Sequence, residues 1–489
     1  MNALHDTSSI TCITAYVVTV SILYFSALSL YRLTLHPLAK FPGPKLAGLT
    51  YWYEIYYDIY RRGDYTRVIL KLHETYGPII RINPNELHVS DPNFIEVLYT
   101  STGKKREVSS WHLRPFQFEG AHFGTVDHDL HRTRRAPLSR FFSKGMVMKL
   151  EPALKTKAIQ YCRNLETWAG SGEALDLVTS ISCFTTDVVT DYLYGNGYRF
   201  LDDPKMKLSL YHPIHMGAES IITFRHFPIY LKLFNAIPSS IMKILSPDAE
   251  LWRLFRVDAR TRIRRIKEDI YAKDAELRTT VFHELLMTLS VAMFYLLSSP
   301  ETMAKLRSEL EAVAPTTDPS AMPPWTKLEQ LPYLSGCVYE GLRLSSGLPS
   351  RLARSSPDEA IIYRAPDRTW IIPPRYSVGM SAYQIHHNEK LFPQSRKYQP
   401  ERWFDEGGKR NRQLDQYLLS FSKGSRQCLG MNLAYAELFT LLAVLVRCYG
   451  HRLELFETTA EDVDFHHDAM IPTVKPGSKG IRVLVKQMG

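Results

Sequence analysis

Phe421-Ser422-Lys423-Gly424-Ser425-Arg426-Gln427-Cys428-Leu429-Gly430 reads F-x-x-G-x-R-x-C-x-G, and an apolar run from Met431 to Val446 follows it. Two glycines and an arginine at fixed offsets surround one cysteine. Glycine turns tightly where a Cβ would clash, so Gly424 and Gly430 suit a loop that passes beneath a flat ligand. Cys428 falls just before a helix N-terminus, where free N–H groups and the positive dipole end favour a sulfur anion. Such N–H groups also tune the electron density that the sulfur gives a metal. A lone cysteine before a helix is usually a buried structural residue. Four partners at set offsets favour a metal-binding thiolate instead.

This stretch resembles the haem-binding loop of the cytochrome P450 family. The resemblance implies that Cys428 is the axial thiolate on the iron of haem b, where it pushes electron density onto the metal to favour O–O cleavage. Phe421, Gly424, Arg426 and Gly430 are then the other cofactor-binding positions of the loop. Glu340-Gly341-Leu342-Arg343 is E-x-x-R, whose two charged side chains share one helix face. With Pro400-Glu401-Arg402-Trp403 downstream, the resemblance implies a buried network of Glu340, Arg343 and Arg402. Haem propionates need cations. Arg426 matches one propionate position, and His131 and Arg135, four apart and so on one face, match a pair in which His replaces the commoner Trp. Arg354, in Arg351-Leu352-Ala353-Arg354, matches the last. Arg132 and Arg134 read as solvated.

The chain has 489 residues, 45% of them hydrophobic, enough for a large core. Its six cysteines are scattered, with no C-x-x-C pair, which argues against a disulfide scaffold and for a reducing compartment. The net charge of +10 is diffuse. No basic-aromatic repeat points to nucleic acid; a diffuse basic excess is usually solvated surface, and it also suits anionic lipid or an acidic redox partner.

Ile10 to Tyr31 is a charge-free run of 22 residues, long enough to cross a bilayer core of roughly 30 Å. No basic residue precedes it, and Arg32, Lys40 and Lys45 follow, so the positive-inside rule places the bulk of the chain in the cytosol. Phe41-Pro42-Gly43-Pro44 is a stiff turn. The layout predicts an anchor over 1–31, a proline-rich hinge over 32–48 and a catalytic domain over 49–489. It resembles single-pass P450s on the cytosolic face of the endoplasmic reticulum.

The fold class is mostly α with small β-sheets, an α+β P450 fold behind one transmembrane helix. Strand signals stand at Gly77–Ile82 and Glu86–Val89, at Ala360–Tyr363 and Trp370–Ile372, and at Ile481–Val485. Helical patterns run over Arg67–Thr75, Lys144–Ala169, Leu175–Tyr194, Glu250–Tyr271, Pro300–Ala312 and Leu334–Leu344. The greasy stretch Ile214–Ile244 reads as core packing or, by the resemblance, as a lid that dips into the membrane.

One segment departs from the family. A monooxygenase of this kind carries A/G-G-x-D/E-T-T on a long helix above the haem, where the acid and threonine relay protons. Leu289 to Leu297 looks like the end of that helix, yet Thr279 to Leu286 runs directly into Met287, and the motif is absent. In one reading, about thirty residues are missing at Leu286/Met287, because a helix needs ~20 residues to cross ~30 Å. The loss is either real or a misplaced splice boundary, and it removes half the distal wall. In the other, no gap exists, and register counted back from Leu289 puts His283 at the acid position and Glu284 at the threonine position. Histidine shuttles protons near neutral pH.

Tyr31 to Leu38 and Phe141 to Lys144 look like fungal members, similar to trichodiene oxygenase-like monooxygenases of secondary metabolism. The resemblance implies insertion of one oxygen atom from dioxygen into a small apolar metabolite, a terpenoid or polyketide. Electrons come from NADPH through a separate cytochrome P450 reductase, since the chain has no G-x-G-x-x-G. The rival is a haem protein that does not activate oxygen: a degenerate copy, or an isomerase or dehydratase. The intact cysteine loop argues against a purely structural membrane protein.

Overall fold

A computed structural model describes the backbone of residues 2–101, 103–116, 120–269 and 280–487, with side chains for these except 2–10, 263–269 and 280–284. Among the described residues the helices of seven residues or more are, in order, α1 (Asn2–Leu30), α2 (Tyr65–Tyr76), α3 (His128–Phe141), α4 (Glu151–Glu166), α5 (Leu177–Tyr194), α6 (Tyr211–His226), α7 (Pro228–Ala236), α8 (Ser239–Leu245), α9 (Pro247–Asp269), α10 (Thr280–Ser298), α11 (Pro300–Val313), α12 (Pro332–Ser345) and α13 (Met431–Val444). The strands are β1 (Ile79–Asn83), β2 (Glu86–Val89), β3 (Glu107–Val108), β4 (Leu175–Asp176), β5 (Arg354–Ser355), β6 (Ile361–Arg364), β7 (Thr369–Ile372), β8 (Ser377–Gly379), β9 (Leu453–Leu455), β10 (His467–Asp468), β11 (Pro472–Thr473) and β12 (Arg482–Val485).

Local chemistry sets the boundaries. The Asp176 side chain accepts from Val178 N at the start of α5, and Gly195, at φ 69°, ends that helix. Asp127 caps α3 in the same way through Leu130 N. Where the sequence suggests one helix over Lys144–Ala169, the structure has a short helix, Lys144–Met148, and then α4. Pro152 explains the break: with no N–H, it fits the first turn of a new helix and not the middle of an old one.

The largest sheet has the order β1-β2-β8-β5-β3. β1 and β2 form the expected hairpin, with Ile79 opposite Val89. β8 joins β2 in parallel, and Arg354 on β5 lies opposite both Val378 and Val108. β6 and β7 form the second expected hairpin, and β12 pairs with β4 and β9.

The main core gathers α4, α5, α10, α12 and α13. From Leu285 to Leu296 nearly every residue of α10 is buried, including Thr288 and Ser290. α10 crosses α12 closely at Gly341, where a Cβ would lie 3.2 Å from Ala292 Cβ and 3.2 Å from the Thr288 carbonyl. The stretch Ile214–Ile244 divides. α6 packs inward, whereas α7 and α8 expose Ile229, Tyr230, Leu233, Ile241, Ile244 and Leu245.

Candidate functional site

The cysteine loop is closed by its own backbone. Cys428 N donates to the Phe421 carbonyl at 2.8 Å, and Gln427 N to the Gly424 carbonyl at 3.0 Å. Gly424, at φ 72°, passes so close to a neighbouring segment that a Cβ would stand 2.3 Å from the Tyr99 carbonyl oxygen. Only glycine fits there. Gly430 is different. At φ −83° it caps the N-terminus of α13 with a backbone conformation that L residues also adopt, so the positive φ of the loop falls on Gly424. Phe421 is buried edge-on against Tyr435, with ring centres 5.3 Å apart.

Cys428 is half-buried at the edge of a void that holds about 990 Å3 of empty space, open solvent included. Four other cysteines, 162, 183, 337 and 448, are buried, and burial pushes their thiols up.

Cations cluster around this sulfur. His131 and Arg426 are buried and line the void. Arg426 also donates to the carbonyls of Thr125 and Val126, which ties the loop to the start of α3. Arg354 is 5% exposed and meets no carboxylate among the described residues. Its Nη1 donates to the carbonyls of Leu352 at 3.2 Å and Ala353 at 3.0 Å, its Nη2 to Ser422 Oγ at 3.3 Å, and it lies 5.3 Å from the Tyr99 ring centre. Burial lowers its pKa. Arg135 Nη1 is buried with no acceptor among the described residues. Burial also lowers the pKa of Arg135, and the Cys428 sulfur charge pushes it back up, which puts the two within electrostatic reach. Arg354 and Arg135, which meet no carboxylate among the described residues, stand with His131 and Arg426 beside a half-exposed sulfur at a void, and this set fits a dianionic group whose metal takes a thiolate. Arg132 is exposed as expected, but Arg134 is half-buried and donates to Thr125 Oγ1.

Behind the loop, Glu340 is fully buried and both its oxygens are used. Arg343 donates to it through Nε at 2.9 Å and Nη2 at 2.7 Å, Arg402 Nε at 2.9 Å, Trp403 Nε1 at 2.9 Å and Gln399 N at 3.0 Å.

The family model described as Cytochrome P450 matches residues 44–264 and 282–475. The chain belongs to the cytochrome P450 family. It is 37% identical to cytochrome P450 monooxygenase tpcC of Cochliobolus heterostrophus over 509 positions, which cover 95% of each chain. Cytochrome P450 monooxygenase sdnE of Sordaria araneosa is 36% identical over 95% of this chain and 96% of its own. Tryptophan 6-hydroxylase fscE of Fusarium equiseti is 34% identical over the whole of both chains. These relatives are fungal oxygenases. The protein is thus a haem-thiolate P450 monooxygenase of the fungal secondary-metabolism type, an oxidoreductase that takes an organic substrate and electrons from a redox partner. The oxygen-inactive alternative is not favoured.

The comparisons also bear on the departure from the family. The P450 model loses its match between residues 264 and 282. The alignment with fscE has 518 positions against 489 residues here, which leaves about 29 without a counterpart. His283 and Glu284 belong to α10, but their side chains lie outside the described residues. No described residue of α10 lines the Cys428 void. Met287 faces a separate cleft with His215 and His467.

Thr11–Leu35 is long and apolar enough to cross a membrane and is 0% buried. The other apolar helix of such length, Met431–Tyr449, is 83% buried and is a core helix.

Two functional positions escape sequence reasoning. His386 is fully buried; its Nε2 accepts from Leu419 N at 2.8 Å, so its Nδ1 carries the proton and donates to the Arg343 carbonyl at 3.0 Å. It thereby couples the Glu340 network to the strand of chain entering the cysteine loop. Burial and the Arg343 charge hold its pKa well below the usual range. Arg351 joins the other network: it contacts Glu54 at 2.5 Å and Glu86 at 3.3 Å. The only signal for either was a doubled residue type, His386-His387 and the arginines of Arg351-Leu352-Ala353-Arg354.

Proposed function

We propose that this P450 inserts one oxygen atom from dioxygen into a C–H or C=C bond of a largely apolar secondary metabolite, a terpenoid or polyketide. The observation that carries the reading is the half-exposed Cys428 at the edge of a void lined by the basic side chains His131, Arg354 and Arg426. Bound haem supplies the redox chemistry that splits dioxygen. The residues supply the rest. Cys428 holds the iron as a thiolate. Arg135, Arg354, Arg426 and His131 receive the propionates, Arg354 and Arg135 with the strongest demand for an anion. Phe421 and Gly424 shape the loop, and Gly430 starts the helix behind it. Glu340, Arg343 and Arg402 hold the core on that side, and His386 transmits their position to Leu419.

Apolar side chains such as Phe116, Phe123, Leu348 and Met470 line the void away from the sulfur and exclude water from the substrate. One relative is named for hydroxylating tryptophan, so a pocket of this kind also accepts an aromatic ring with polar groups. Electrons come from NADPH through cytochrome P450 reductase. In this reading residues 1–31 are an anchor, 32–48 a hinge and 49–489 a catalytic domain on the cytosolic face of the endoplasmic reticulum; the apolar, unburied helix Thr11–Leu35 supports the anchor. The exposed apolar side chains of α7 and α8, with Trp52, support a second membrane contact.

The test is reconstitution of the full chain with reductase and NADPH under heavy-isotope dioxygen, fed with fungal metabolite extract. A product that gains one heavy oxygen atom, absent with Cys428→Ser, supports the reading. NADPH consumption with no labelled product from wild type would contradict it.

A further inference from the structure

Arg225, in the last turn of α6, is 5% exposed. It lines the Cys428 void and also a narrower cleft of about 270 Å3 beside it, so it stands where the two meet. Among the described residues its guanidinium makes no hydrogen bond and no ion pair, and its Nε is sealed from solvent without an acceptor. Arginine does not shed its charge on burial, and a buried charge without a partner is costly. The negative C-terminal end of α6 offsets only part of that cost.

The carboxylates that line the same cleft bond to other donors and not to Arg225. Asp58 accepts from His226 Nε2 at 2.9 Å. Asp468 accepts from Thr66 Oγ1 at 2.6 Å, Ser350 Oγ at 2.6 Å and Met470 N at 2.7 Å. Arg351 is taken up by Glu54 and Glu86. Among the described residues Arg225 is left without a hydrogen-bonded acid where the void, with Phe116, Phe123, Leu348 and Met470 on its wall, meets the more polar cleft.

We infer that the substrate is an organic acid, an apolar skeleton with one carboxylate that Arg225 receives where the void meets the cleft. A planar guanidinium binds a carboxylate by two parallel hydrogen bonds. One cation matches one carboxylate, whereas a phosphate dianion would call for two. The inference rests on the monooxygenase reading, which puts the substrate in this void. It adds that oxidation falls on the skeleton remote from the carboxylate, and that the product keeps its free acid.

The test titrates the full-length protein by calorimetry with aryl and alkyl carboxylic acids, each paired with its methyl ester. At least one acid is expected to bind wild type roughly tenfold to a hundredfold tighter than its ester, the range of one charge-assisted pair. Arg225→Met erases that preference and leaves ester binding unchanged, and Arg225→Lys keeps part of it. Without ligand, Arg225→Met is expected to melt higher than wild type, because an uncompensated buried charge is gone. Equal binding of acids and esters by wild type, or a preference that survives Arg225→Met, would overturn the inference. So would a lower melting temperature for Arg225→Met, which would mark a structural partner. The carbon monoxide spectrum of the same samples reads haem ligation separately. Acid preference without that spectrum would contradict the haem site and leave Arg225 standing.

Discussion

Removing Glu340 is the most damaging single change the core offers. Glu340 and Arg343 are both 0% exposed, and the carboxylate receives donors from Arg343, Arg402, Trp403 and the Gln399 backbone. Glu340→Ala leaves the Arg343 charge with only the carbonyls of His386, Ser395 and Lys397. Breaking a buried pair from one side costs ~3–5 kcal/mol, a large part of the ~5–15 kcal/mol that holds a typical domain folded. The damage also reaches the cysteine loop, because His386 joins Arg343 to Leu419 and Ser420 Oγ donates to the Leu342 carbonyl at 2.7 Å. The assay is denaturant unfolding of the detergent-solubilised full chain, with haem per polypeptide measured beside it. Glu340→Ala and the shape-conserving Glu340→Gln are both expected to lose most of their haem. A variant with Glu340→Leu, Arg343→Met and Arg402→Met together should lose less stability than Glu340→Ala, since no charge is stranded. A Glu340→Gln protein with normal haem and a loss below ~1 kcal/mol would refute the reasoning.

Three further outcomes follow from buried groups and close approaches. Burial lowers the pKa of His73 to about 4 and that of His88, whose Nδ1 lies 2.8 Å from His73 Nε2, well below the usual range. The unfolded chain therefore takes up protons that the fold refuses; stability is fully present above about pH 6.5 and falls as pH drops toward 4, by about 3 kcal/mol for His73 alone. Unfolding free energies at pH 7 and pH 5 check this, and a flat profile would contradict it. Glu437 is fully buried, neither of its oxygens has a partner among the described residues, and burial raises its pKa well above the usual range. Its folded form holds a proton that the unfolded chain releases above pH 4.5, so wild type loses stability as pH rises through that window. Glu437→Leu should accordingly stabilise the protein more at pH 8 than at pH 5; an equal gain at both would count against a neutral Glu437. Gly424→Ala should abolish haem loading, because its Cβ would stand 2.3 Å from one carbonyl oxygen and 2.5 Å from another at a positive φ. Normal haem content in that variant would show that the loop can shift.

What was legible in the sequence was local. The cysteine loop, E-x-x-R and P-E-R-W carry their meaning in spacings of a few residues, and the β1–β2 and β6–β7 hairpins in alternation around a turn. The break before Pro152 was missed because the apolar pattern continues across it. What stayed hidden depends on residues far apart in the chain. Nothing near His386 tells that it joins Arg343 to Leu419, and nothing near Arg225 tells that no acid reaches it. Gly424 and Gly430 look alike in sequence, yet only the first takes a positive φ, pressed against the Tyr99 backbone. The shortened stretch before Leu289 was visible as a missing motif, and the fold adds that the rest of α10 is packed into the core and away from the void.

The central claim is that Cys428 binds haem iron as a thiolate in a folded pocket. Its most direct test is the reduced carbon monoxide difference spectrum of the full chain, recorded beside Cys428→Ser. The account expects a strongly red-shifted Soret band from wild type and none from the variant. A folded wild-type protein that takes up haem but gives no such band would contradict it.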